Sequence, residues 1–129
     1  MCRSRTSRLH IVVVDYLLTC RPAQLDLGDG ISIRPIFLRE ADGTTEIHYE
    51  GISPVGPGAA MSIAARVHLD DGTEIRPVIV GLQRVGDEIS GHAQFREQLA
   101  DRPPFNLEVW SDARDRSAIV EVQVEILDA

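Results

Sequence analysis

Alternation with a period of two constrains this chain more than any other feature. Met61, Ile63, Ala65, Val67 and Leu69 alternate with Ser62, Ala64, Arg66 and His68. The same parity runs through Ile89, Gly91, Ala93 and Phe95, through Phe105, Leu107 and Val109, and through Ala118, Val120, Val122, Val124 and Ile126. Successive side chains of a β-strand point to opposite faces, so each set describes a strand with one face packed and the other wet. Shorter matches lie at Ile31 to Leu38, Glu46 to Glu50 and Ile75 to Leu82.

The punctuation agrees with this reading. Asp42-Gly43, Asp71-Gly72 and Gly86-Asp87 fall between the apolar runs, where hairpin turns need residues that tolerate positive φ. Pro35 and Pro77 sit inside strand candidates, and each removes a ladder donor, so those positions predict sheet edges or bulges. Only Glu97 to Ala100 hints at a helical turn, closed by Pro103-Pro104. About eight short strands with regular turn signals predict an all-β, two-sheet antiparallel β-sandwich with immunoglobulin-like packing. The Cys, Trp, Cys core of antibody-type domains is missing, and Trp110 falls on the polar phase of its strand.

The chain opens differently. Four arginines against Asp15 make the first twenty-one residues net +3 in a chain of net charge −7. A basic start before the apolar run Leu9 to Leu18, with Cys20 beyond it, has the outline of an export or lipoprotein signal. Asp15 within the run and Thr19 before the cysteine speak against it. The favoured division is a basic tail at residues 1–8 and a single β-sandwich domain over 9–129, in the cytoplasm rather than exported. The run is apolar on both faces, as expected for a strand covered on both sides or for a segment that is not a strand; a first β-strand behind the basic tail is the favoured reading. No stretch approaches the ~20 apolar residues of a membrane span. The acidic balance argues against a nucleic-acid partner, because phosphate binding needs clustered cations. All thirteen basic residues are arginine, a usage that fits a GC-rich, bacterial-like genome as readily as any functional need.

No catalytic constellation stands out. There is no GxSxG elbow, no CxxC, and no cysteine pairing that spacing supports for Cys2 and Cys20. His48, His68 and His92 each occupy the polar phase of a strand, so imidazoles converging from neighbouring strands could bind zinc or a similar ion. The acidic turns could pool oxygens for calcium, but none carries the register of a dedicated loop. The sequence therefore predicts no cofactor and a non-enzymatic binding module. Its partner would be a protein, met through loops or a sheet face, with a second copy of the chain pairing at a sheet edge as a further option. The contact residues predicted are Pro54, Val55 and Pro57, in the loop Gly51 to Ala60, together with Trp110. The alternatives are a metal site on His48, His68 and His92, or an exported lipoprotein-type domain.

Overall fold

The structure is a computed structural model, and it describes residues 13–28, 30–56, 63–99, 105–111 and 117–126. Among the described residues ten strands follow one another: β1 (Val13–Arg21), β2 (Leu25–Gly28), β3 (Ile31–Ala41), β4 (Thr44–Ile52), β5 (Ile63–His68), β6 (Glu74–Ile75), β7 (Ile79–Val85), β8 (Glu88–Phe95), β9 (Phe105–Ser111) and β10 (Ser117–Ile126). There is no helix among the described residues, and hence none long and apolar enough to cross a membrane. The helical turn expected at Glu97 is a bend instead. The Thr45 hydroxyl on β4 donates to the Glu97 carbonyl and accepts from the Leu99 amide, which draws the Leu99 side chain into the core.

Every strand pair is antiparallel, and the pairing runs in one path, β6-β5-β9-β10-β1-β3-β4-β8-β7, with β2 added beside the start of β3. The all-β expectation is met. The expected pair of stacked sheets is not confirmed: among the described residues there is no separate second sheet, because hydrogen bonding passes through β1 from one limb to the other. Right-handed strand twist accumulates over so many strands, and the sheet curls until β5 lies in contact with β7 and β8. The result is a half-barrel whose concave side holds the core.

The parity read from the sequence decides which side chains reach that core. Ile63, Ala65 and Val67 are buried on β5, Ile89, Ala93 and Phe95 on β8, Phe105, Leu107 and Val109 on β9, and Val120 and Val122 on β10. On β3 the phase changes part-way: Ile31, Ile33 and Pro35 point inward before a register shift between Pro35 and Phe37, and Leu38 points inward after it. One extra residue reverses the faces. Pro35 is thus carried by a bulge in a central strand. Pro77 lies between β6 and β7, which are the two outermost strands of the path, so the single run expected from Ile75 to Leu82 is split.

The described part of the opening apolar run is the first strand, as favoured, but it is not covered on both sides. Residues 9–12 and the tail at 1–8 lie outside the described residues. β1 buries Leu18 and packs Tyr16 and Cys20 against the core, but Val13 and Leu17 face solvent. Only one of its faces is covered.

The turns follow their sequence signals. Asp42 and Gly43 both have positive φ, at 53° and 80°, as a two-residue type I′ hairpin between β3 and β4 requires. Gly86, with φ 63°, opens the two-residue turn from β7 to β8.

Candidate functional site

Register places the outward side chains of β3, β4, β8 and β7 in rows across the sheet. Phe37 pairs with His48, His48 with His92, and His92 with Gly81. The Phe37 and His48 rings stack with centroids 4.4 Å apart and planes 7° apart, and His92 continues the column 5.7 Å from His48. The row can close up because Gly81 leaves room for the His92 ring: a Cβ at Gly81 would stand 2.8 Å from its Cε1. His48 Nε2 meets Glu46 Oε1 at 2.9 Å. His68 is elsewhere, on β5, with its Nε2 2.9 Å from Glu108 Oε1 on β9. The structure therefore brings two of the three candidate ligands together, ring against ring, and leaves the third on the other limb. Among the described residues no group of three or more His, Cys, Asp or Glu is placed to hold a metal ion. The turn carboxylates act locally: Asp26 Oδ1 accepts from the Gly28 amide and Asp71 Oδ1 from the Thr73 amide, both at 2.9 Å.

The next rows run toward the end of the sheet that carries the loop after β4. Arg34 pairs with Glu50 and Glu50 with Ser90; then Ile52 pairs with Glu88 and Glu88 with Val85. These side chains surround a hollow of about 590 Å³. A second hollow of about 480 Å³ around the ring column shares Glu50, Gln83 and Ser90 with it and is its neighbour on the sheet.

The loop itself is fastened to the β7–β8 hairpin. The Ser53 amide donates to the Asp87 carbonyl at 2.9 Å, and the Val55 amide to Asp87 Oδ1 at 3.1 Å. The Arg84 guanidinium donates to the Ser53 carbonyl, to the Gly86 carbonyl at 3.1 Å, and to Ser53 Oγ at 3.0 Å. Ser53 is fully buried and satisfied, and Val55 beyond it is 67% exposed. Ile52 and Val85, 49% and 80% exposed, flank Glu88 on the same end. Pro54 is exposed within the loop, and Pro57 lies outside the described residues. Ile52, Val85, Arg84 and Asp87 were not among the residues expected here. The available signal was the pair of charged residues bracketing Val85-Gly86.

Trp110 stands on β9 in the outward phase, half-buried, with the Arg66 guanidinium 5.0 Å above its ring. It lines a hollow with Val78, Ile79 and Val80, at the start of β7. Val55 is tied to the other end of that strand. Seven residues at ~3.3 Å each separate the two ends by roughly 20 Å, so Val55 and Trp110 do not form one surface.

Cys20 is the free cysteine among the described residues, and burial pushes its thiol up to about 11. It is protonated at neutral pH and suits neither a nucleophile nor a metal ligand. Comparison with protein-family models, with curated proteins and with solved structures gives no match to this chain.

Proposed function

We propose that this chain is a non-enzymatic binding module that recognises a protein partner through the sheet end formed by Ile52, Val55 and Val85. The reading rests on one observation: three large aliphatic side chains stand exposed together, on a loop and hairpin already joined by Ser53, Arg84 and Asp87. A surface fixed before binding loses little conformational entropy when a partner docks, and clustered exposed aliphatics favour a protein surface. Glu88 between Ile52 and Val85 adds a polar contact at the rim of the hollow. Immunoglobulin-like sandwich packing of the two limbs belongs to the same proposal. It is supported by a core drawn from β2, β3, β4 and β8 on one limb and β5, β9 and β10 on the other.

Affinity capture with the parent chain and with Val55→Asp, Val85→Glu and Ile119→Asp variants tests the reading. Ile119 is also exposed but lies on β10, away from the loop. The expected result is a partner retained by the parent and by Ile119→Asp and lost from the other two. An identical partner set for all four proteins would overturn it.

A further inference from the structure

The seam of the half-barrel offers a second site, distinct from the loop end. β6 covers only Val67 and His68 of β5, so among the described residues no strand pairs with Ile63 to Arg66 on the edge away from β9, and none lies beyond β7. Between these two edges is a hollow of about 280 Å³. Val80 pairs with the fully buried Ala93 and so belongs to the core-facing phase, yet it is 39% exposed because the sheet stops at its strand. Val78 and Ile79, also exposed, border the hollow beside Val80, and Ala64 and Trp110 border it from β5 and β9.

The ionic side chains that line this hollow are arginines, and the carboxylates that balance them, Glu74 and Glu108, stand behind them and are already bound to them. The protein carries twenty acidic residues against thirteen arginines, but the described residues lining the hollow include Arg66 and Arg76 and no carboxylate. Arg66 spends Nε on Glu108 and Nη1 on Glu74, and lies over the Trp110 ring. Arg76 binds Glu74 through Nε, and its side chain is 74% exposed. An apolar slot edged by guanidinium groups is complementary to a molecule with an apolar body and an anionic head, since Arg pairs with carboxylate through parallel N–H donors. The volume fits a small body, about nine groups of water or methylene size.

We propose that the seam hollow binds a medium-chain aliphatic carboxylate, with its chain against Val78, Ile79, Val80 and Trp110 and its head toward Arg76. The site is independent of the partner surface proposed at the loop end and lies at the opposite end of β7.

Trp110 is the only tryptophan in the chain, so its fluorescence reports directly on the hollow. Titration of this 129-residue chain with octanoate is expected to give a saturable emission change in the ~0.1–10 mM range, ordinary for so small a ligand. Octylamine should give none, and octanol should bind at least about fivefold more weakly, lacking the charge-assisted hydrogen bond. Arg76→Gln should weaken octanoate about three- to tenfold. Ile79→Glu, which sets a carboxylate in an exposed wall, should remove binding. Both variants change exposed side chains, and circular dichroism confirms their fold. Equal affinity for octanol and octanoate, an unchanged Arg76→Gln titration, or no saturable response in the parent would each overturn the proposal.

Discussion

Asp15 illustrates how little a surface ion pair contributes and how pH reveals it. On β1 it accepts two hydrogen bonds from Arg39 on β3, from Nε at 2.8 Å and Nη2 at 3.0 Å. Those bonds hold its carboxyl below the usual 3.8, against a smaller opposing effect of burial. A depressed carboxylate stabilises the fold above its ordinary value, and that contribution disappears as the pH falls through the lowered one. Both side chains are a third or more exposed, so solvent screening keeps the pair to about 0.5 kcal/mol or less. Asp15→Asn should therefore lower stability by that amount at pH 7, in urea melts, and by progressively less as the pH falls below 3.8. Single residues were only partly legible in the sequence. Parity put His48, His68 and His92 on outward faces, but which strands are neighbours is a long-range matter, and only pairing shows that His48 meets His92 and that His68 meets Glu108.

Strands and turns were more legible, because each depends on residues close in sequence. Alternation located the core faces of β5, β8, β9 and β10, and the Asp42-Gly43 turn has the backbone its sequence demands. The prolines behave as their missing amide requires, Pro35 at a bulge and Pro77 between the two outermost strands, but which of the two solutions each takes depends on neighbouring strands. Two glycines inside strands show the same dependence. A Cβ at Gly51 would run into the Ser32 carbonyl oxygen, and one at Gly91 into the Gly81 carbonyl oxygen, backbone atoms that cannot swing aside. At Gly81 the obstacle is the His92 ring, which can rotate away. Thermal melts should accordingly show Gly51→Ala and Gly91→Ala losing more than about 2 kcal/mol. Gly81→Ala should lose about 1 kcal/mol or less, with an NMR shift in the His92 ring protons as the column with His48 is disturbed.

At the scale of the whole molecule, the sequence announced a β-rich core, whereas the two stacked sheets expected around it are not what the strand pairing shows. Parity states which side of a strand is oily and says nothing about which edge meets which. The answer found, one curled sheet, makes Leu38 on β3 and Val67 on β5 parts of a single buried cluster despite their separation along the pairing path. Leu38→Ala should cost about 2–5 kcal/mol and Val67→Ala somewhat less, and each should move one common unfolding transition, seen alike by far-ultraviolet circular dichroism and Trp110 emission.

The outermost strands, β6 and β7, are consecutive in the chain, joined only by Arg76, Pro77 and Val78. That tether is a spacer of limited reach: the four steps from Ile75 to Ile79 span at most ~14 Å, whatever the side chains around them do. How far the mouth of the curl stands ajar is thus dictated by a count of residues. Lengthening the tether by a few glycines would let the rims drift apart at an entropic penalty of only tenths of a kcal/mol, with every ladder elsewhere left as it is.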